Sequence, residues 1–330
     1  MTQNNEQGGA NALRGFNFQT AMGALIAVFN YTEEDFKMVV EGAEDIVVHK
    51  KGICTFIQVK SSSLKTSDLL RTPKPKKNGE RRLAVLYKLL SHDSKQEKER
   101  YKLIVSDKFS EKDLQKKFQL SDQAQILDTV YSPTEQTISV ILKQMQKDGI
   151  NLSQEKVREF FLYRAPFHTD LESASRYICG VMNEREILTD YGAGRRAFEE
   201  VIRIIYQKSE CIEMGGITQK EISSAELKRI FRTSRRPLLA REILKQLFPD
   251  FVFKRDKIEK NIYDVPFRLQ YHKKQIHRKL GKISIDDSIS PAKYIQHFNE
   301  QLDGYPLPEN EKYAIFIDLL LDMYEEFYDY

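Results

Sequence analysis

Residues 41–60, EGAEDIVVHKKGICTFIQVK, constrain the fold of this chain more than any other stretch. They read as a tight turn, a strand, a second turn and another strand. Gly42-Ala43 separates the apolar run 36–41, FKMVVE, from the β-branched run 46–49, IVVH. Lys50-Lys51-Gly52 is then a hairpin turn into a strand over 53–60. An acidic cluster of Glu41, Glu44 and Asp45 stands near the start, and Gln58 and Lys60 stand two apart at the end. Side chains alternate along a strand, so Gln58 and Lys60 share one face while Ile57 and Val59 take the other.

The surrounding pattern gives this hairpin a setting. A helical period starts near Asn11, with Leu13, Phe16, Ala21, Leu25 and Phe29 recurring and Met22 and Ile26 widening the stripe. So apolar a helix is expected to be buried. Residues 61–79 form a polar, basic loop with Pro73 and Pro75. Residues 81–98 read as a helix with Leu83, Leu86, Tyr87 and Leu90 on one stripe, and YKLIVS at 101–106 as a strand of a buried sheet. The order is helix, three strands, helix, strand. That αβββαβ order is the core of the restriction-endonuclease-like nucleases, and the expected class is α+β.

Beyond residue 106 strand-like runs almost vanish. Residues 111–117, 134–148, 153–163, 171–183 and 193–207 read as helices. Residues 224–231 read as a short helix, and Pro237 opens another over 238–248 that Pro249 closes. Residues 291–302 and 309–330 are again helical, the last with Ile315, Phe316, Leu319, Leu320, Met323 and Phe327 on one broad face. The expected organisation is a nuclease-like core at 1–110, a helical extension at 111–210 and a helical partner-binding or oligomerisation region at 211–330. The last helix either docks a partner or packs on its own domain.

Composition narrows the function classes. Three isolated cysteines, Cys54, Cys179 and Cys211, form no CxxC and suggest neither a zinc ribbon nor a disulfide framework. The six histidines show no HxxxH or HExxH spacing, and no GxxxxGK[ST] loop occurs. No apolar run reaches the roughly 18 residues of a membrane span, and the polar N-terminus lacks signal-peptide features, so a cytoplasmic protein off the membrane is expected. The net charge of +4 is mild, but its distribution is uneven. Lys65, Arg71, Lys74, Lys76, Lys77, Arg81 and Arg82 follow closely on Lys60; a second basic run spans 228–241; residues 318–330 are acidic. Such asymmetry fits a polyanion at one place and a protein contact at another, although either run alone is equally a solvated face.

Hydrolysis of a phosphodiester needs a nucleophilic water, neutralised charge on the phosphate and a protonated leaving oxygen. A divalent metal held by carboxylates supplies the first two. Asp45 is the first candidate ligand, the Gln58 side-chain carbonyl a neutral second, and the Val59 backbone carbonyl a third; Mg²⁺ or Mn²⁺ suits such oxygen donors. Lys60, on the face of Gln58, is placed to orient the water or bind developing charge. Glu41 and Glu44 are supporting carboxylates, and Gln19 on the first helix is a further candidate. The basic loop from Lys65 to Arg82 would clasp a phosphate backbone. The bland alternative is a turn-forming aspartate and a solvated strand-end lysine.

Three motifs in order, GGANALRGFNFQ at 8–19, EGAEDIVV at 41–48 and QVKSS at 58–62, resemble the N-terminal endonuclease domain of bacterial antiphage effectors. That domain is shared by the CBASS double-stranded DNA endonuclease, the nuclease subunit of Lamassu systems and nucleases partnered with HerA-type ATPases. The resemblance implies a PD-(D/E)xK-type, Mg²⁺-dependent endonuclease with Asp45, Gln58 and Lys60 on the catalytic positions, and Glu41 or Glu44 and Gln19 in support. The roughly 120 residues after 210 look too small and strand-poor for the ligand-sensing domain of the CBASS enzyme. The Lamassu case is therefore favoured. It implies double-stranded DNA as substrate, an SMC-like ATPase and an accessory subunit as partners, and a homo-oligomer as the active form. A non-catalytic DNA-binding or scaffold subunit and an RNA-directed enzyme of the same fold are the competing expectations.

Overall fold

The computed structural model describes residues 3–62, 84–94, 98–106, 114–118, 129–211, 217–265, 268–280, 295 and 298–327. By contacts the chain divides into two units, Met1–Phe231 and Arg232–Tyr330. The first opens with α1 (Gln3–Asn30), β1 (Lys37–Val40), β2 (Ile46–Lys50), β3 (Ile53–Lys60), α2 (Val85–Leu90) and β4 (Lys98–Val105). It continues with β5 (Leu114–Phe118), β6 (Thr129–Pro133), α3 (Glu135–Lys147), α4 (Gln154–Arg158), β7 (Phe160–Arg164), α5 (Leu171–Glu184), α6 (Tyr191–Glu210) and β8 (Glu221–Ser223). Helix α7 (Ser224–Leu247) runs across the division between the units.

Among the described residues the eight strands form one sheet in the order β5-β6-β7-β4-β3-β2-β1-β8. β1, β2 and β3 pair antiparallel in sequence, as the two tight turns dictate, whereas β3–β4 and β4–β7 pair parallel. The central strands are buried on both faces. Ile46, Ile57, Val59, Ile104, Phe161 and Tyr163 pack with α1, α5 and α6, whereas Val47, Phe56, Leu103, Val105, Phe160 and Leu162 pack with α2, α3 and α4. Helix α1 explains its own burial: Phe18, Ala21, Met22, Ala24, Leu25, Ile26, Ala27 and Val28 surround the helix axis, and none is more than 1% exposed. Gly23 lets it pass close, because a Cβ there would lie 3.1 Å from Ile205 Cδ1 and 3.7 Å from Ile46 Cδ1.

Several expectations are corrected here. Residues 111–117, expected to be helical, contain β5, an outer strand whose Lys116 and Lys117 are typical of an edge and whose polarity mimics a helix. Residues 153–163 are not one helix: the single turn α4, capped by Ser153, gives way to β7, whose apolar FFLY reads equally as a buried helix by period alone. Residues 111–210 therefore hold three strands of the sheet and are not simply a helical extension. Residues 224–231 and 238–248 are not two helices, because α7 continues through Pro237. A proline inside a helix removes one backbone hydrogen bond. Leu227, Ile230 and Phe231 on one side of it, and Ala240, Ile243 and Leu244 on the other, are all core residues. The helix expected at 309–330 is α10 (Glu309–Phe327), and its Ile315, Phe316, Leu319 and Leu320 are buried in the second unit, while the side chains of Met323 and Phe327 lie outside the described residues.

The second unit continues with α8 (Val252–Asp264), α9 (Gln270–Leu280) and α10 (Glu309–Phe327). Its core is tied by charge as well as by packing. Arg236 Nη2 donates to Asp318 Oδ1 at 2.7 Å and Asp322 Oδ1 at 2.8 Å, and Lys273 Nζ donates to Asp318 Oδ2 at 2.6 Å and also to Asp322. No helix among the described residues is long and apolar enough to cross a membrane.

One buried charge has a measurable consequence. Lys102 of β4 is 5% exposed, and its amine lies 5.3 Å from the centroid of the Tyr163 ring. Burial, with Arg100 and Lys50 nearby, pushes the amine down to about 7. A lysine whose folded pKa lies below its unfolded value binds its proton more weakly when folded. Stability therefore rises with pH between about 7 and 10.4. We expect urea melts of the wild type to gain about 1.4 kcal/mol per pH unit across pH 8–9.5 relative to Lys102→Met. Parallel pH dependence of the two proteins would contradict the assignment.

Candidate active site

The site begins at the tip joining β1 to β2. Register Val40↔Ile46 leaves residues 41–45 as the loop, closed where the Glu41 N–H donates to the Asp45 carbonyl at 3.0 Å. Glu41 has φ +48, a left-handed conformation uncommon outside glycine and costly for a residue with a Cβ. Lys220 Nζ donates to the Glu41 carbonyl at 2.8 Å and so pins that backbone. Burial raises the Glu41 carboxyl, and the charge of Asp45 adds to this, against the opposing pull of Lys220 and Lys88. Two carboxyl groups are thus held near each other at one loop.

Asp45 is fastened to the neighbouring strand. Its Oδ2 accepts from the Val59 N–H at 2.8 Å. The antiparallel register of Ile46 with Ile57, carried one residue on, sets Asp45 opposite Gln58. Burial raises the Asp45 carboxyl overall; the Val59 N–H, the Lys60 charge and a hydrogen bond with the Gln19 side chain oppose it, while Glu44 adds to it. The residues Asp45, Gln58, Val59, Lys60 and Gln19 therefore meet, and they come from the loop, from β3 and from α1. Helix α1 approaches the end of β3 closely, since a Cβ on Gly15 would lie 3.6 Å from Ser61 Oγ. Tyr206 of α6 donates to Asn17 Oδ1 at 2.7 Å and anchors the same turn of α1.

Gln58 is the anomalous member. It is 5% exposed, and its Oε1 is buried with no hydrogen-bond partner among the described residues. An unpaired buried acceptor costs roughly 1–3 kcal/mol, so this amide oxygen calls for a ligand. Lys60, on the same face two residues on, is half-buried, and its carbonyl accepts from Ser106 N–H at 3.1 Å where β3 runs beside β4. Among the described residues no three His, Cys, Asp or Glu side chains converge to hold a metal ion. The oxygen donors that fit a hard cation are instead a mixed set: the Asp45 carboxylate, the Gln58 amide oxygen and the Val59 carbonyl.

Glu44 is placed apart from that set. Its side chain is fully buried, with Oε2 accepting from Lys88 Nζ at 3.2 Å and Oε1 at 2.8 Å from His92 Nε2. The His92 ring stacks on Phe56 at 4.9 Å, and Phe56 stacks on Tyr101 at 5.8 Å. The Tyr101 hydroxyl returns to the His92 carbonyl at 3.2 Å. Both Glu44 oxygens are thus engaged in a network that braces the loop against α2 and β3. Sequence reasoning missed Lys88, His92 and Lys220. They stand 44, 48 and 179 residues from their partners, and no local pattern links them. Lys65, Arg71, Lys74, Lys76, Lys77, Arg81 and Arg82 lie outside the described residues.

With the geometry in place, known proteins can be set beside it. Residues 7–171 match the family model of the Cap4 dsDNA endonuclease domain, a span that contains Gln19, Glu41, Glu44, Asp45, Gln58, Val59 and Lys60. The chain is 24% identical over 279 residues to the Lamassu protein LmuA of Bacillus sp. (strain NIO-1130), covering 83% of this chain and 84% of that protein. Among solved structures it is similar to the Moraxella osloensis Cap4 SAVED/CARF-domain containing receptor at 14% identity and a TM-score of 0.41, covering 67% of this chain and 47% of that one. It is similar too to the Acinetobacter baumannii Cap4 receptor with the cyclic trinucleotide 3'3'3'-cAAA, at 13% identity, a TM-score of 0.39 and coverage of 67% and 45%. The chain spans about half the length of these solved receptors, and scores at that level carry no argument about its fold. The family match spans the sequence that builds the loop and β3, and by it the chain belongs to the family of Cap4 dsDNA endonuclease domains.

Proposed function

We propose that this protein is a metal-dependent endonuclease that cuts double-stranded DNA in a bacterial defence system of the Lamassu kind, with chemistry at Asp45, Gln58 and Lys60. The observation that carries the reading is the orphaned Gln58 Oε1, buried beside a carboxylate and a lysine at one strand end. Asp45, Gln58 Oε1 and the Val59 carbonyl would hold Mg²⁺ or Mn²⁺. When bound, such an ion lowers the pKa of its water and neutralises charge on the scissile phosphate. The Val59 N–H fixes the Asp45 carboxylate through its Oδ2. Lys60 Nζ binds the non-bridging phosphate oxygens as negative charge grows and orients the attacking water. Water forms the new P–O bond as the bond to the leaving oxygen breaks, and that oxygen takes up a proton. Gln19 steadies Asp45 from α1. Glu41 contributes its charge from the loop, and Glu44 positions the loop through Lys88 and His92.

The basic run Lys65 to Arg82 comes a few residues after β3 in the sequence and supplies charge for the phosphate backbone. An SMC-like ATPase and an accessory subunit are the proposed partners that release or activate the nuclease. Two copies acting together would cut both strands, so a homo-oligomer is the proposed active form.

Plasmid cleavage by the purified chain tests the reading. We expect nicking or linearisation with Mg²⁺, none in EDTA, and a loss of at least about 100-fold in Lys60→Ala with an unchanged melting temperature. Wild type that stays inactive even with its stimulated partner subunits would leave a DNA-binding scaffold as the better account. Glu44→Ala separates bracing from ligation. It leaves Lys88 and His92 without their partner, so we expect a loss of about 1–3 kcal/mol in unfolding free energy, and an unchanged melt would contradict the bracing role.

A further inference from the structure

Part of the charge visible in the sequence is paired inside the second unit. From the basic run 228–241, Arg236 is held by Asp318 and Asp322, and Arg241 donates to Glu259 at 2.7 Å. Asp318 and Asp322 come from the acidic end of the chain, and Lys273 meets them too. One basic element retains a surplus. Helix α9, QYHKKQIHRKL, contains four Lys or Arg, two His and no acidic residue.

The two sides of α9 do different things. Its inner side is occupied: Ile276 and Leu280 are in the core, His272 Nδ1 lies 3.1 Å from the Tyr305 hydroxyl, and Lys273 joins the aspartate clasp. Its outer side carries Tyr271, 68% exposed, with Lys274, His277 and Arg278 also exposed. Lys274 and Arg278 are one turn apart, about 6 Å along the axis, and Tyr271 precedes them on the same stripe. Neither cation has a carboxylate partner among the described residues. A stripe of two unpaired cations with a phenol hydroxyl suits phosphate oxygens at regular spacing, since all three side chains donate to them. Duplex DNA carries about one negative charge per 1.7 Å of its axis, so even two such contacts add appreciable affinity.

We propose that the outer stripe of α9, formed by Tyr271, Lys274 and Arg278, is a second contact for duplex DNA that grips the phosphate backbone without reading bases. It rests on the reading of this chain as a DNA endonuclease and extends it to residues 232–330, beyond the span of the family match. The cleaving site then needs less affinity of its own, because the second unit supplies part of the hold.

The test is fluorescence anisotropy of a labelled duplex with the full-length chain in EDTA, titrated across about 50–200 mM salt. We expect Lys274→Ala/Arg278→Ala to weaken binding about tenfold at the middle of that range and to lower the slope of log K against log[salt] by about 1.8. Lys257→Ala/Lys260→Ala, which removes two exposed charges from α8, should leave both nearly unchanged. Wild-type affinity and slope in the α9 double variant, or an equal loss in the α8 control, would overturn the second contact while leaving the endonuclease reading standing. A wild type that neither binds nor cleaves duplex DNA would overturn both.

Discussion

The site depends on one hydrogen bond between neighbouring strands. The Val59 N–H donates to Asp45 Oδ2, and it can do so only because β2 and β3 pair in a register that brings Asp45 opposite Gln58. A slip of one residue would turn Gln58 and Lys60 to the other face of the sheet and Ile57 and Val59 into their place. The register is held by burial on both faces, with Ile46, Val48, Ile57 and Val59 under α1 and Val47 and Phe56 under α2. Packing far from the chemistry therefore fixes the chemistry. The Glu41 backbone, left-handed and pinned by Lys220, is the local cost of folding the acidic loop over the strand end.

Two kinds of buried polar group lie on either side of that loop. Glu44 is satisfied, with a cation on one oxygen and an imidazole on the other. Gln58 is not. Folded proteins keep few such orphans, and a bound ion or water is one of the explanations each calls for. The contrast separates a residue that braces from the one we propose as a ligand, although the sequence groups both with the site. The same reasoning applies in the second unit, where a complete four-membered clasp of Arg236, Lys273, Asp318 and Asp322 is structural and the unmatched stripe on α9 is the part open to a partner.

How much of this could be read from the sequence follows from the range of the interactions. The meander β1–β2–β3 was legible because Gly42-Ala43 and Lys50-Lys51-Gly52 mark its turns, and the alternation along 53–60 puts Gln58 and Lys60 on one face. The burial of α1 followed from its composition. The strands β5 and β7 were not legible: an edge strand written LQKKF and a buried parallel strand written FFLYR carry no alternation to set them apart from helix. Pro237 reads as the opening of a new helix, whereas α7 runs through it. His92 belongs to no motif spacing, and its partner Glu44 stands 48 residues away in the chain. The charge runs at 228–241 and 318–330 read equally as solvated faces or as surfaces for other molecules, yet Arg236 of the first pairs with Asp318 and Asp322 of the second.

The central claim is that Gln58 is kept unsatisfied for a ligand. The most direct measurement is a paired one on Gln58→Leu: thermal or urea unfolding without metal, and plasmid cleavage with Mg²⁺. Leucine fills the space and removes the orphaned oxygen. The account predicts a protein as stable as the wild type or more so, by up to about 1–3 kcal/mol, that no longer cuts DNA. A variant that loses stability and keeps its cleavage would show that the amide serves the fold, and would contradict the account.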